Sequence, residues 1–360
     1  MEKFSLSTTI YSGAGAISAL AEEGIRRLFL VTDPYFVKNG VAQKVIAASN
    51  CQESEIFDGV QPDPSVELAA EGTAKLRIFQ PDAVVALGGG SAMDCAKAMV
   101  HFGKCGCRLI AVPTTSGSGS EVTDFAILTH NRVKHPLVDP ALRPSVAILD
   151  SDLLAGLPKG LIADCGFDVL THALEAYVAK GAGPISDLYA REAFSTAYAH
   201  LPASYAGKHD VRLKVHLAST MAGMAFTQAG LGLCHAMAHS LGGVFHVPHG
   251  RLNAILLPAI VACNSGAAGK KYAEIARAAG IGGSAETIAL RNLRNGLMRL
   301  RRDLGLPETL CQAGIPSREV WNQAGHIVQA TLADPCCASN PVAVDDFMVR
   351  RILEAVTGRG

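Results

Sequence analysis

Two stretches of the chain share one grammar. "PDAVVALGGGSAMDCAKA" (81–98) is an apolar run that ends in three glycines and passes at Ser91 into a helical pattern. "RLIAVPTTSGSGSE" (108–121) repeats the form. A strand that is apolar throughout is covered on both faces. When helices separate such strands, the connections are crossovers and the sheet is parallel. "RRLFLVTD" (26–33) and "SVAILD" (145–150) supply further strands. The opening "FSLSTTIYSG" alternates, which predicts an antiparallel addition at the sheet edge.

The glycine loops carry chemistry as well as turns. Backbone N–H groups at a helix N-terminus hold a pyrophosphate, and glycines let it approach. "ALGGGSAMD" lacks the GxGxxG spacing, so alone it reads equally as a tight strand-to-helix turn. The second loop shifts that balance. It carries hydroxyls at Thr114, Thr115, Ser116, Ser118 and Ser120 among its glycines. Two such loops at the carboxyl ends of parallel strands predict a nucleotide crevice. Asp33 ends the first of those strands. A carboxylate there accepts ribose hydroxyls and repels a 2′-phosphate, which favours NAD over NADP. A plain turn or helix cap is the alternative use for it.

After about residue 160 the pattern changes. "CGFDVLTHALEAYVA", "DLYAREAFSTAYAHL", "VRLKVHLASTMAGMAFTQAG" and "AGKKYAEIARAAG" all read as helices. The predicted division is a dinucleotide-binding α/β domain over 1–160 and an all-helical, metal-binding domain over 161–360, with the boundary near "LPKGLIAD" (157–164).

Composition narrows the function classes. Charged residues are 18% of the 360, against a typical value of about 25%, so much of the surface is expected to be covered by another domain or subunit. Lys plus Arg equals Asp plus Glu at 32 each, and no long basic run is present, which argues against nucleic acid as a partner. The N-terminus has no signal-peptide core, and "AILLPAIVAC" (254–263) is too short to span a bilayer. A soluble, cytoplasmic chain is expected, without a membrane partner. None of the ten cysteines forms a CxxC pair, so they read as reduced thiols.

Histidines supply the other signal. His235, His239, His246 and His249 fall within fifteen positions. His235 and His239 are i and i+4 on a helical run, "GG" (242–243) and Pro248 are expected to break the chain, and His249 follows. Earlier, Asp168 and His172 are also i and i+4 and project together from one helix face. One carboxylate and several imidazoles suit a borderline divalent metal such as iron or zinc. Spacing alone does not choose the ligands among the five histidines.

"GGGSAMDCAKA", "PTTSGSGSEVT", "GFDVLTHALEAY" and "CHAMAHSLGGVFHVPHG" resemble the iron-containing, or group III, alcohol dehydrogenases, and the resemblance covers essentially the whole chain. A closer likeness, carried by "KHPLVDPALRP" and "AGMAFTQAGLGLCHA", is to the branch of 1-propanol dehydrogenases from propanediol-utilisation microcompartments. The resemblance implies a Rossmann-like parallel-sheet domain, an all-helical C-terminal domain and an active site in the cleft between them. It implies Fe(II), or zinc, on Asp168, His172, His235 and His249. It makes His239 the catalytic candidate, for proton relay or for orienting nicotinamide and substrate. It places NAD(H) against Asp33, Asp63, Gly89, Gly90, Ser91, Asp94, Thr114, Thr115, Ser118 and Lys134. His246 falls where the family varies, and is expected at the substrate-pocket wall or behind a ligand, or else as a neutral core histidine. Val342 stands where relatives often carry the Arg of "NPR".

The implied reaction is hydride transfer between a nicotinamide and a small aldehyde or its alcohol, with propanal favoured. A homodimer or higher homo-oligomer is implied, as are microcompartment shell or enzyme partners. A zinc polyol dehydrogenase, a dehydroquinate-synthase-like lyase, a metal-dependent hydrolase and a non-catalytic microcompartment protein are the other readings.

Overall fold

The computed structural model describes residues 4–131 and 133–358. The chain divides into two compact units, Ser5–Leu157 and the residues from Pro158 onward, which Phe4 also joins by stacking on Tyr189.

The first unit runs β1 (Thr9–Gly13), β2 (Arg27–Val31), α1 (Pro34–Lys38), α2 (Val41–Ala48), β3 (Glu53–Phe57), α3 (Val66–Phe79), β4 (Ala83–Gly88), α4 (Gly90–Gly103), β5 (Arg108–Pro113), β6 (Phe125–His130), β7 (Val133–Val138) and β8 (Val146–Asp150). Six strands form one sheet in the order β1-β8-β5-β4-β2-β3, and every pairing in it is parallel. Successive side chains of a strand point to opposite faces, and the core follows that rule. Phe29, Val31, Val84, Ala86 and Ala111 pack on one face; Leu28, Leu30, Val85, Leu87, Ile110 and Ile148 pack on the other. Burial on both faces is what the continuous apolar runs of β4 and β5 require.

The opening strand departs from expectation. β1 lies at the edge, as predicted, but pairs with β8 in parallel, Thr9 opposite Val146 and Gly13 opposite Asp150. An edge strand covered on one side alternates whichever way it runs, so periodicity held no information about direction. The antiparallel ladder of this unit is instead the separate β6–β7 hairpin.

The second unit contains α5 (Lys159–Val178), α6 (Pro184–Tyr205), α7 (Arg212–Ala229), α8 (Leu233–Phe245), α9 (His249–Ala278), α10 (Glu286–Asp303), α11 (Ser317–Ala333), α12 (Cys336–Ser339) and α13 (Asp346–Thr357), with no strand among the described residues. α5 is buried from Gly166 to Val178 and is the central helix of the unit, packed against α6, α7 and α9. α9 is long and apolar enough to cross a membrane by length and composition alone, but 67% of its apolar window is buried within the unit, as in a core helix.

The glycine pair Gly242–Gly243 does not break the chain as expected. α8 runs through both and ends one residue before His246, whose left-handed φ of 55° caps it. A helical glycine costs about 1 kcal/mol relative to alanine, and the buried face of α8 outweighs two of them.

Candidate active site

Three imidazoles converge on one carboxylate oxygen. Nε2 of His249, His235 and His172 lies 3.5, 3.7 and 4.0 Å from Asp168 Oδ1. Asp168 and His172 come from successive turns of α5, His235 from the first turn of α8, and His249 is the first residue of α9. The start of α9 is pressed onto α5. Gly250 lies so close that a Cβ there would sit 2.0 Å from the Asp164 carbonyl oxygen, and Arg251 forks onto the Asp164 carboxylate at 3.2 and 3.0 Å. That contact, one turn before Asp168 on α5, seats the neighbouring His249 beside Asp168.

The ligand-like histidines are held from behind. Glu175, two turns after Asp168 on the same helix, accepts the Gly232 and Cys234 N–H groups at 2.9 and 2.6 Å. Its Oε2 also accepts His235 Nδ1–H at 2.6 Å. A carboxylate only accepts, so Nδ1 carries a proton, and whenever the ring is neutral the Nε2 lone pair faces Asp168. That Nε2 is buried and has no hydrogen-bond partner. Asn253, fully buried, donates from Nδ2 to Asp168 Oδ1 at 2.8 Å and lies 3.2 Å from His249 Nε2. His172 stacks on His235 with ring centres 4.5 Å apart, and Phe226 stacks on its other face at 4.4 Å.

Electrostatics follow the geometry. Burial works to raise the Asp168 carboxyl, but the facing imidazoles of His172, His249 and His235 outweigh it and hold it far below the ordinary carboxylate range. Burial works to lower His235, and Asp168 and Glu175 overcome it, pushing the imidazole up to about 9. Lone pairs that point at one another over such distances repel unless a proton or a cation lies between them. One carboxylate oxygen and three Nε2 atoms, one of them buried without a hydrogen bond, therefore fit a divalent iron or zinc ion.

His239 stands beside this cluster. Its ring stacks on His249 at 5.1 Å, and its Nδ1–H donates to Asp334 Oδ2 at 2.9 Å. Asp334 follows α11, which the Thr331–Ser240 hydroxyl contact at 3.1 Å ties to α8. The other Asp334 oxygen accepts the Cys336 N–H at 2.8 Å. Burial works to raise the Asp334 carboxyl, and these hydrogen bonds hold it below its usual value. His246 is exposed at the end of α8, which excludes the core-histidine reading.

Most of the expected nucleotide residues follow the carboxyl ends of the parallel strands, while Asp94 lies within α4 and Lys134 on β7. Strand order reverses between β2 and β4, and a crevice opens at such a point. Asp33 follows β2, where its Oδ1 accepts the Tyr35 N–H and caps α1. Gly89, Gly90 and Ser91 follow β4 and start α4. Gly88 has φ 151°, and a Cβ there would lie 2.7 Å from that of Ala92, so only glycine fits the strand-to-helix turn. Thr114, Thr115 and Ser118 follow β5, level with that turn, and Thr114 N–H donates to Gly88 O at 2.9 Å. Asp63 and Lys134 meet in an ion pair at 2.7 Å. Asp94 spends one oxygen on the second loop and the other on the strand that follows, accepting Ser120 Oγ–H at 3.0 Å and Ile127 N–H at 3.1 Å. In these bonds it anchors protein rather than facing a ligand.

Sequence reasoning missed four supporting residues. Glu175 and Asn253 are buried polar positions in largely apolar helices, at i+7 from Asp168 and i+4 from His249. Those spacings were a usable signal. Lys97, fully buried, donates to Ser120 Oγ, Thr123 Oγ1 and Phe125 O, and its spacing of i+3 from Asp94 was readable in the same way. Burial pushes its ammonium down to about 8 against the opposing charges of Asp94, Glu121 and Asp124. Asp334 lies 95 residues from His239, and no local pattern connects them.

Two family models match most of the chain. That for iron-containing alcohol dehydrogenase matches residues 7–151, and that for the Fe-containing alcohol dehydrogenase family, C-terminal, matches 162–357. The 1-propanol dehydrogenase of Citrobacter freundii is 38% identical, covering 98% of this chain and 99% of that protein. The NADPH-dependent butanol dehydrogenase of Clostridium saccharobutylicum is 36% identical, covering 99% and 98%. Among solved structures, a 1,3-propanediol oxidoreductase superposes with a TM-score of 0.93 at 33% identity, covering 99% of this chain and all of that one. Sulfoacetaldehyde reductase from Bifidobacterium kashiwanohense, in complex with NAD+, gives 0.90 at 29% identity over the full length of both chains. With a parallel-sheet unit, a helical unit and a histidine–aspartate cluster of this make, the chain is an oxidoreductase that belongs to the iron-containing alcohol dehydrogenase family.

Proposed function

We infer that this enzyme interconverts a short-chain aldehyde and its primary alcohol, with propanal the favoured aldehyde and NADH the hydride donor, at Fe(II) held by Asp168, His172, His235 and His249. The convergence of three Nε2 atoms on Asp168 Oδ1 carries the reading. When bound there, iron supplies Lewis acidity that polarises the carbonyl against which the hydride moves. Glu175 and Asn253 hold His235 and Asp168 in the orientation this needs. The α4 N-terminus offers its N–H groups to the pyrophosphate, and Asp33 keeps Oδ2 for a ribose hydroxyl while Oδ1 caps α1.

His239 handles the proton. Asp334 fixes the neutral ring with hydrogen on Nδ1, so the proton that is passed enters and leaves at Nε2. Asp334 also stabilises the imidazolium that exists between those events. The choice of propanal rests on the 1-propanol dehydrogenase likeness. NAD rests on Asp33, because the butanol dehydrogenase relative is NADPH-dependent by name. Assembly as a homo-oligomer and association with a microcompartment belong to the same proposal; light scattering and co-purification with shell proteins test them.

The decisive experiment is anaerobic purification with iron and zinc quantified, followed by NADH and NADPH oxidation against two- to four-carbon aldehydes. His249→Ala is expected to lose metal and turnover together. His239→Ala is expected to keep metal and lose turnover by about 100-fold or more. Metal loss in His239→Ala means the ligand set is wrong. An unchanged NADH to NADPH ratio in Asp33→Gly removes the ribose role.

A further inference from the structure

We propose that His239, Asp334 and Cys336 form a second cation site, for a thiophilic divalent ion of the zinc type, which shares His239 with the active site and stops turnover when filled. Each residue offers one donor atom, and the three donors lie within 4.8 Å of one another. Their chemistry is mixed: one imidazole nitrogen, one carboxylate oxygen and one sulfur. A sulfur in the set selects zinc or cadmium over magnesium, calcium or manganese. Small side-chain rotations bring such donors to the bond lengths of about 2.0–2.3 Å that zinc takes.

The backbone prepares the set. Pro335 separates Asp334 from Cys336, and the Cys336 N–H is bonded to the Asp334 carboxylate at 2.8 Å, so the two residues cannot drift apart. The neighbouring thiol is turned elsewhere: Cys337 Sγ bonds the Thr331 carbonyl at 3.0 Å. All three residues are partly buried, dry enough to strengthen coordination and open enough to admit an ion. The cluster is distinct from the one around Asp168, which has no sulfur. A cation entering here releases the thiol proton to solvent, and the His239 Nδ1 proton gives way to the cation while the ring takes up a proton at Nε2 and stays neutral. The cation also takes both halves of the His239–Asp334 pair, so that the pair no longer passes a proton. The site itself stands on geometry; its effect on turnover rests on the role proposed for His239.

Cadmium separates the two. It is titrated into the iron-loaded enzyme while thiolate-to-cadmium charge-transfer absorption, iron content and turnover are followed together. The expected result is a band that saturates at one equivalent, with iron retained and turnover reduced about tenfold or more. Cys336→Ala is expected to load iron and turn over like the parent, and to lose both the band and the inhibition. Cys337→Ala is expected to keep both. No band, or a band of equal size in Cys336→Ala, overturns the site. A band that depends on Cys336 without inhibition upholds the site and overturns the proton role of His239.

Discussion

Glu175 is the residue on which the metal cluster leans hardest. It satisfies three backbone donors at the start of α8 and holds the His235 ring, so its loss leaves four groups unbonded in a dry interior. Glu175→Gln keeps the size but can place only one carbonyl oxygen where two oxygens now accept. Iron affinity is expected to fall about 10- to 100-fold, measured by competition with a chromophoric chelator. Asp334→Asn makes a parallel case: an amide can turn its NH2 toward Nδ1, which favours the other tautomer. It is expected to lower kcat about 10- to 100-fold while leaving iron content and KM within about twofold. A large rise in KM with kcat unchanged would assign Asp334 to substrate binding instead.

At the scale of elements, the glycine loops depend on Lys97 and Asp94, which brace the chain beyond β5 from α4. Lys97 gives a pH signature. Its folded value of about 8 lies below the ordinary 10.5, so between those values the unfolded chain holds a proton that the folded chain has released. Stability contributed by this group therefore rises with pH across that window. Buried cysteines and tyrosines pull the other way, since burial raises them and the folded chain keeps their protons longer. The test is a double difference. From pH 8 to 10.5, the denaturation midpoint of the parent should gain on that of Lys97→Met.

How much of this was legible also differs by element. β4, β5 and their loops declared themselves because burial on both faces leaves an unbroken apolar run, and glycine marks the turn. α5 declared itself through the Asp168–His172 spacing. The direction of β1 did not, because it is set by its partner β8, more than 130 residues away. Continuation of α8 through Gly242 and Gly243 was hidden for a similar reason: propensity is local, and the burial that overrides it is not. Residue spacing reached a metal, and only resemblance reached a choice among five histidines. The His239–Asp334 pair needed the fold.

For the whole molecule, the proposed metal site lies among helices that already have reasons to form. α5, α8 and α9 bury apolar faces over most of their length, unlike a small metal-dependent domain whose core is the ion. Chelation is therefore expected to abolish turnover and lower the thermal midpoint while leaving helix content by circular dichroism unchanged. Loss of helix signal on chelation would show that the ion is part of the folding nucleus. All ten cysteines are free thiols, so a reductant should not move the midpoint of the metal-free protein.

Asp168, His172 and Glu175 share one helix, and this bears on which changes in chain length the enzyme can survive. One residue inserted between 168 and 175 turns everything beyond it by about 100°, swinging Glu175 away from His235 at a stroke. The turn between α6 and α7 carries no such constraint, since it holds none of the residues that meet the cluster, whereas Phe226 on α7 stacks on His172. Descendants of this sequence are thus free to lengthen or shorten the α6–α7 turn, and any that retain iron should show α5 without a gap.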